Sequence, residues 1–340
     1  MRTQLYVSLQ GDDCIRRFDM DAQTGRLESL DAVAVPGGPA PMAVDPRGRF
    51  LHVGRRGVCE VSSFRIDPES GDLESIGAVS LDAEPCYLAM DRQGKFLFSA
   101  YYQAGKAGVH AVNGETGALE ATPVEWLDTA TGAHALQTDP SNRFAFLPHI
   151  AGKGPNTIFQ YRFDAQTGRL TPNTPARLTP PEPVGPRHFC FHPHRDVVYF
   201  SNEQGCSVTA YALDTVAGTL EAFQTVSTLP EDFHGDNTCA QIHMQPSGGM
   251  LFAPNRGHNS MACFTVDPVT GMLTPTARID TEPVPRAFGI DPDGEFLFSA
   301  GLQSGRLAAY RIDSENGTLA HVETYDVGST PMWVTVLSRP

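Results

Sequence analysis

Apolar and polar residues alternate along most of this chain, in runs short enough to be single β-strands. Residues 186–226 show the arrangement in four successive runs, which read PRHFCFHP, VVYFSNE, SVTAYALD and LEAFQTV. The runs are rich in aromatic and β-branched residues, and Gly, Pro, Asn or Asp separates them, as is typical of strands joined by turns. Alternation with a period of two predicts strands with one face buried. Because the same order of runs recurs along the chain, we predict an all-β protein.

A short phrase before the fourth strand of each group occurs seven times, as in IDPESGDLE and FDAQTGRLT. The glycines of the seven copies are 46 to 53 residues apart, and they are Gly25, Gly71, Gly117, Gly168, Gly218, Gly271 and Gly317. A repeat of this length that holds four short strands is typical of a β-propeller blade. The sequence therefore predicts a seven-bladed β-propeller with four antiparallel strands in each blade.

The two ends of the chain complete the seventh blade. The chain begins with a run that matches the second strand of a blade, LYVSL, and ends with one that matches a first strand, MWVTVL. Pairing of this C-terminal strand with the N-terminal strands closes the ring and leaves no open sheet edge. We therefore predict that residues 1–340 form a single propeller domain.

Composition narrows the classes of function. The formal net charge of −14 disfavours nucleic acid and anionic membranes as partners. The apolar runs are too short to span a bilayer, and the N-terminus lacks the apolar stretch of a secretion signal. The seven cysteines include no Cys-x-x-Cys pair, so neither a disulfide framework nor a structural zinc site is predicted. A cytoplasmic location is the expectation.

The strand order also predicts where a site can form. In an antiparallel blade, the start of the first strand and the end of the second lie at the same end of the sheet. Because first strands lie nearest the propeller axis, these positions are expected to converge on one mouth of the central channel. Their polar and aromatic residues are Gln10, Arg55, Arg56, Tyr87, Tyr101, Tyr102, His134, His149, Arg187, His188, Asn202, Glu203, His243, Asn255, Arg256, Arg286, Gln303 and Trp333.

A mouth rich in Arg and His within an acidic protein indicates a pocket for a small anion. Guanidinium groups match carboxylate and phosphate with paired hydrogen bonds. No cofactor is predicted. A metal site built from histidines is geometrically conceivable, although the spacing does not single one out and no metal is predicted; its ligands would be His134, His149, His188 and His243.

Several short motifs occur in a characteristic order: GPRH at 185–188, NE at 202–203, NRGH at 255–258, PRAF at 285–288 and the terminal GSTPMWVTV. In this order they resemble the seven-bladed lactonase family, which includes propeller-type bacterial 6-phosphogluconolactonases and fungal carboxy-muconate lactonizing enzymes. The resemblance spans essentially the whole chain. It implies a cofactor-independent hydrolase acting on a small anionic sugar lactone, such as 6-phosphogluconolactone or an aldaric or aldonic acid lactone.

The resemblance also implies functional roles for seven residues, which are His134, Arg187, His188, Glu203, His243, Arg256 and Arg286. Arg187 or Arg256 suits stabilisation of the carbonyl oxyanion. A histidine titrates closer to neutrality than a carboxylate among arginines, so His134 or His188 is expected as the base, with Glu203 orienting it or the water. Arg286 is expected to hold the distal anion of the substrate.

Further substrate contacts are predicted from the mouth positions, at Arg55, Tyr101, His149, Asn255 and Gln303. The chain departs from the family pattern twice. Gln241 precedes Ile242 where an acidic residue is usual, and His149 also stands where an acidic residue is common. Both changes make the predicted mouth less negative and favour a ligand with more than one anionic group.

Two other functions are compatible with the same fold. A carboxy-muconate-type cycloisomerase needs the same cationic mouth, with a His or Glu203 delivering a proton to carbon. A non-catalytic, protein-binding propeller is the more distant alternative. The two tryptophans, Trp126 and Trp333, lie outside any WD-repeat pattern, and a scaffold has little need for arginines and histidines at the channel mouth.

Overall fold

The computed structural model describes residues 2–339, which form 29 β-strands and no helix. No segment of this range therefore qualifies as an apolar, membrane-spanning helix. The strands form seven separate sheets, six with four strands and one with five. We call these sheets blades 1 to 7, in chain order. The predicted seven-bladed β-propeller with four-stranded antiparallel blades is confirmed, with one additional two-residue strand in blade 1.

Four blades belong to one of two compact units, which comprises Arg187–Leu213, Leu220–Arg339 and the N-terminal residues up to Ala34. Blade 1 contains β1 (Arg2–Leu9), β2 (Cys14–Met20), β3 (Leu27–Ser29), β4 (Val33–Ala34) and β29 (Pro331–Arg339). Blade 5 contains β17 (Pro186–Phe191), β18 (Val197–Asn202), β19 (Ser207–Asp214) and β20 (Thr219–Ser227). Blade 6 contains β21 (His243–Met244), β22 (Met250–Asn255), β23 (Ser260–Val266) and β24 (Leu273–Asp280). Blade 7 contains β25 (Pro285–Ile290), β26 (Phe296–Gly301), β27 (Arg306–Asp313) and β28 (Thr318–Asp326).

The other unit, Val35–Pro186 with Asp214–Thr219, contains the remaining three blades. Blade 2 contains β5 (Pro39–Val44), β6 (Phe50–Arg55), β7 (Glu60–Ile66) and β8 (Leu73–Ser80). Blade 3 contains β9 (Tyr87–Met90), β10 (Phe96–Tyr101), β11 (Lys106–Ala111) and β12 (Glu125–Asp128). Blade 4 contains β13 (Gln137–Thr138), β14 (Phe144–His149), β15 (Thr157–Phe163) and β16 (Leu170–Leu178). That the whole chain behaves as one domain stays a prediction.

The predicted pairing of the chain ends is confirmed. β29 runs antiparallel to β1, from Arg2 opposite Arg339 to Leu9 opposite Pro331. The last strand of the chain is thus the first strand of blade 1, and it covers an edge of β1 that would otherwise be exposed.

Within the first unit, blades 5, 6, 7 and 1 pack in that order through apolar clusters. Tyr199 and Val208 of blade 5 pack with Ile242 and Leu251 of blade 6. Further clusters join blade 6 to blade 7 and blade 7 to blade 1, and they include Phe252, Phe288, Phe298, Val7 and Val334. Alternating side chains of the inner strands therefore face the two neighbouring blades.

The recurring Gly phrase forms a turn that packs on the preceding blade. In blade 3, the Asn113 side chain accepts hydrogen bonds from the backbone N–H groups of Glu115 and Thr116, both at 3.0 Å. Gly117 has a φ of +77°, and a Cβ there would lie 2.3 Å from the ring of Phe50 in blade 2. The same relation holds for Gly25 with Phe296, Gly168 with Phe96, and Gly218 with Phe144. The repeat is thus explained by a left-handed turn with no space for a side chain.

Candidate active site

Glu203 is held between two arginines at the inner ends of blades 5 and 6. Glu203 directly follows β18, and Arg187 is the second residue of the neighbouring strand β17. Arg187 Nε lies 2.7 Å from Glu203 Oε2, and the Arg187 side chain is only 2% exposed. On the other side, Arg256 Nη2 lies 3.0 Å from Glu203 Oε1. The Glu203 side chain is 14% exposed, so the carboxylate remains accessible from one direction.

Backbone contacts fix the position of Arg256. Its Nη2 also donates to the carbonyl oxygen of Cys239 at 2.7 Å. The backbone N–H of Arg256 donates to Thr238 O at 3.0 Å, and the N–H of Cys239 donates to Glu203 O at 3.1 Å. Residues 238 and 239, which precede β21, therefore link the backbone after β18 to the backbone after β22. These hydrogen bonds hold Glu203 and Arg256 at fixed positions relative to each other.

Arg286 of blade 7 is the third cation of this cluster. It lies in a β-bulge at the start of β25, where Pro285 pairs with Gly301 and Ala287 with Ala300, so that Arg286 has no opposite residue. Bulges of this kind redirect a side chain at the rim of a sheet. The positive charge of Arg286 lies near enough to Glu203 to contribute to lowering the pKa of that carboxyl.

Opposing effects act on the pKa of Glu203. Burial alone raises this pKa, but the positive charges of Arg187, Arg256 and Arg286 outweigh burial and hold it below its ordinary value. Glu203 is therefore a carboxylate at neutral pH. The positive charges of three guanidinium groups act on this one carboxylate, and guanidinium groups are suited to binding an anionic ligand.

His188 contacts a residue of a blade that is not its neighbour. The ring centroids of His188 and Trp333 are 6.2 Å apart. His188 lies on β17 of blade 5, and Trp333 lies on β29 of blade 1. Because blades 6 and 7 stand between these two in the packing order, the rings meet across the inner ends of the blades. His188 is thus directed toward the axis.

His134 belongs to the other unit and lies just before β13 of blade 4. Its backbone N–H donates to Pro148 O at 3.1 Å, which places it beside the end of β14. Its ring is 5.8 Å from the ring of Tyr102, the residue that follows β10 of blade 3. His134 therefore lies at the inner end of its blade, as predicted.

A family model described as lactonase, 7-bladed beta-propeller, matches residues 4–336 of the chain. The chain belongs to this lactonase family. It is 37% identical over 338 residues to a 6-phosphogluconolactonase of Pectobacterium carotovorum, covering 99% of each protein. It is 32% identical over 336 residues to a 6-phosphogluconolactonase of Yersinia pestis, covering 99% of this chain and 98% of that protein. The structure of the periplasmic gluconolactonase of Pseudomonas aeruginosa superposes with a TM-score of 0.92, at 25% identity and full coverage of both chains.

Four of the predicted substrate contacts of this lactonase family member have contacts within the protein, and their role as substrate ligands stays a prediction. Successive side chains of a strand point to opposite faces. Each of the four is the last residue of a second strand, so the residue that follows it points to the other face. The four are Arg55, Tyr101, His149 and Asn255, and three residues that follow them are Arg56, Tyr102 and Arg256.

Asn255 illustrates the difference from its neighbour Arg256. Asn255 is fully buried, and its Oδ1 accepts hydrogen bonds from Thr228 Oγ1 at 2.7 Å and Asn237 Nδ2 at 2.9 Å. Its Nδ2 donates to Thr228 O at 3.0 Å and to Ser260 Oγ at 3.2 Å. With its amide fully used, Asn255 supports the loop around the site.

The other three residues have similar internal roles. Tyr101 is fully buried, and its hydroxyl is 2.8 Å from Ser99 Oγ. Arg55 donates to Pro36 O at 2.8 Å and forms an ion pair with Glu60. His149 is fully buried 4.3 Å from the ring of Phe159, and burial lowers its pKa to about 4. These contacts occupy all three side chains, and a His149 with so low a pKa is neutral near pH 7.

His243 packs against blade 7, and its predicted catalytic role stays a prediction. Its ring lies edge-to-face on Phe288 of blade 7 at 4.6 Å, its Nε2 is shielded from solvent, and burial lowers its pKa to about 4. Gln241, two residues earlier and on the same face, accepts a hydrogen bond from the backbone N–H of Phe288 at 2.9 Å. Both side chains join blade 6 to blade 7, which explains why Gln241 is not available to a ligand.

Gln303 is exposed in the turn after β26, where it lines a cavity of about 420 Å³ with Ser304, Asp326 and Thr330. Its role as a substrate ligand stays a prediction. Among residues 2–339, no group of three or more His, Cys, Asp or Glu side chains is arranged to hold a metal ion. His149 is not available to the four-histidine metal site considered above, because its two ring nitrogens each lie 3.1 Å from a protein oxygen. These oxygens belong to Leu147 and Thr129.

Proposed function

We propose that this protein hydrolyses the ring ester of a small anionic sugar lactone and that 6-phosphogluconolactone is its substrate. The observation that carries the proposal is the cluster of Arg187, Arg256 and Arg286 around Glu203. The full-length relatives named 6-phosphogluconolactonase support hydrolysis over cycloisomerisation. They also favour an enzyme over a protein-binding scaffold.

In the proposed reaction, a water oxygen attacks the lactone carbonyl carbon and charge develops on the carbonyl oxygen. A guanidinium fixed by several contacts stabilises that charge without reorganising, and such a donor contributes about 10²–10³ in rate. Arg256 fits this role because its Nη2 is already held by Cys239 O and Glu203. Arg187 fits it equally well, since its side chain is almost fully buried against Glu203.

The attacking water must lose a proton, and the ring oxygen must gain one when the ester bond breaks. Glu203 is a weak base, because the surrounding guanidinium groups keep its pKa low. His188 is the proposed base, since it points toward the axis beside Trp333. The protonated imidazole of His188 can then return that proton to the leaving ring oxygen as the ester bond breaks. The products are a hydroxyl group and a carboxylic acid, which releases the second proton of the water to solvent and becomes a carboxylate. Glu203 orients the water or the base.

The relatives named 6-phosphogluconolactonase support a phosphorylated substrate. A phosphate monoester carries close to two negative charges at neutral pH, and guanidinium groups bind phosphate with paired hydrogen bonds. Arg286, which approaches from the next blade beyond Arg256, is proposed to hold the phosphate. A neutral sugar lactone lacks this contact and is expected to bind more weakly.

A direct assay tests the function. Purified protein is incubated with 6-phosphogluconolactone, unphosphorylated gluconolactone, an aldaric acid lactone and carboxy-muconate. For the three lactones, acid release is followed above the spontaneous rate, and for carboxy-muconate the loss of the ultraviolet absorbance of its conjugated diene is followed. We expect the highest kcat/KM on the phosphorylated lactone. Turnover of carboxy-muconate alone contradicts hydrolysis in favour of cycloisomerisation, and activity on none of the four contradicts the enzyme assignment.

A further inference from the structure

Val284 has a backbone conformation that a β-branched residue rarely adopts. Its φ is +58°, in the left-handed region where the side chain of an L-residue crowds its own backbone. Such strain persists only where surrounding contacts enforce it, and it is concentrated at functional sites. Val284 lies directly before Pro285 and Arg286, the segment that begins β25.

Both backbone groups of Val284 are held by other loops. Its N–H donates to Asn259 Oδ1 at 2.9 Å, and its C=O accepts from the N–H of Leu302 at 3.0 Å. Asn259 follows Arg256 by three residues in the turn of blade 6, and it is itself left-handed, with a φ of +56°. The backbone O of Asn259 also accepts from Thr281 N at 2.9 Å. A turn of blade 6 therefore fixes the loop that enters blade 7.

This conformation determines where Arg286 points. Proline at position 285 fixes the next φ angle, and the bulge then leaves Arg286 without a residue opposite it in β26. Val284 and Pro285, both with constrained φ angles, and the bulge thus determine the direction of the Arg286 side chain, whose charge lowers the pKa of Glu203. A change of φ at Val284 would rotate the start of β25 and move that guanidinium away from the cluster.

The other unit contains the same device with a residue that is not strained. The N–H of Gly185 donates to Asn156 Oδ1 at 2.8 Å, and Pro186 follows. Asn156 and Gly185 both have positive φ, of 53° and 70°. At this second position the chain uses glycine, which adopts the conformation freely. At Val284, in contrast, the asparagine has to hold a β-branched residue in this geometry.

We propose that Asn259 is a positioning residue for substrate affinity: it holds Val284 in the left-handed conformation and thereby places Arg286 to bind the distal anion of the substrate. The inference rests on the function proposed above. It identifies Asn259, which lies outside the charged cluster, as a residue that determines the preference for a phosphorylated lactone.

The test compares N259G with N259D. Glycine tolerates the φ of residue 259 but removes the acceptor, whereas aspartate retains an acceptor oxygen at the same place. We expect N259G to raise the KM for 6-phosphogluconolactone roughly tenfold, as expected for a displaced binding group, with kcat nearly unchanged. The KM for unphosphorylated gluconolactone should stay at the wild-type value, and N259D should behave like the wild type with both lactones.

A second substitution separates positioning from general damage. V284G removes the strain, so adding N259G to V284G should change the KM for 6-phosphogluconolactone by less than about threefold. Thermal unfolding checks that each variant is folded, and N259S, whose shorter side chain does not span the distance, replaces N259G if the glycine variant does not fold. An unchanged KM in folded N259G, or an equal rise for both lactones, overturns the inference while leaving the proposed function standing. Failure of the unmodified protein to hydrolyse either lactone contradicts both.

Discussion

Replacing Arg187 by methionine is expected to lower kcat/KM for 6-phosphogluconolactone by about 10³-fold, the upper range for loss of an oxyanion donor. Methionine keeps much of the apolar stem of this buried side chain, so packing is disturbed little. The substitution removes one of the charges that oppose the effect of burial on Glu203. The pKa of Glu203 therefore rises, and the acid limb of the kcat/KM profile should move to higher pH.

The matched control is R169M. Arg169 also pairs with a glutamate, Glu125, at 3.1 Å, but its side chain is 65% exposed. An exposed pair of this kind contributes about 0.2–1 kcal/mol to stability, and its loss should leave the rate unchanged. Steady-state kinetics of the two variants, with circular dichroism to confirm folding, make the comparison. A rate for R187M within about threefold of the wild type contradicts the assignment of the site to this cluster.

Ending the chain after Thr330 is expected to abolish cooperative folding. The deletion removes β29, exposes the edge of β1 and takes Met332 and Val334 out of their buried positions. Loss of each such side chain costs about 2–5 kcal/mol, against a total stability of about 5–15 kcal/mol for a typical domain. Urea unfolding followed by circular dichroism should show a shallow transition or none.

A rearranged chain provides the control for this deletion. Because Arg339 lies opposite Arg2, residues 331–339 can be placed before Arg2 and joined to it by a two-residue hairpin turn. The strand then pairs with β1 as before, and cooperative unfolding should return. If the truncated chain unfolds as cooperatively as the full chain, β29 is not what secures blade 1.

The fold was predictable because each blade repeats the same local signals. An Asp or Asn, a glycine and a leucine mark the turn before every fourth strand, and Gly117 shows why: its φ is positive and Phe50 occupies the place of a side chain. Because this glycine turn occurs seven times at similar spacing, few architectures other than a seven-bladed propeller fit the sequence. The partial runs at the two chain ends similarly predicted the pairing of β29 with β1.

The candidate site was predictable only to within one residue of each strand end. Alternation along a strand means that an error of one position exchanges the two faces. Glu203 and Arg256 follow their strands and point inward, whereas Tyr101 and Asn255 end theirs and are buried between blades. At each strand end the sequence offers two adjacent candidates, such as Asn255 and Arg256. Which of the two points inward depends on the residue at which the backbone pairing of the strand ends.

The backbone that places Arg286 was not predicted. The bulge and the positive φ of Val284 depend on contacts with Asn259 and Leu302, which are distant in the sequence or belong to another blade. A signal was nevertheless present, since Pro-Arg occurs at the start of first strands at both 186–187 and 285–286. The contact of His188 with Trp333 was also missed as a pair, because it joins blades that are not neighbours.

The location of a bound product tests the central claim most directly. A crystal structure of the protein with 6-phosphogluconate, the stable product of the proposed reaction, should show its carboxylate beside Arg187 and Arg256 and its phosphate at Arg286. Product bound instead in the cavity beside Gln303 and Thr330, with the Glu203 cluster unoccupied, would contradict the account.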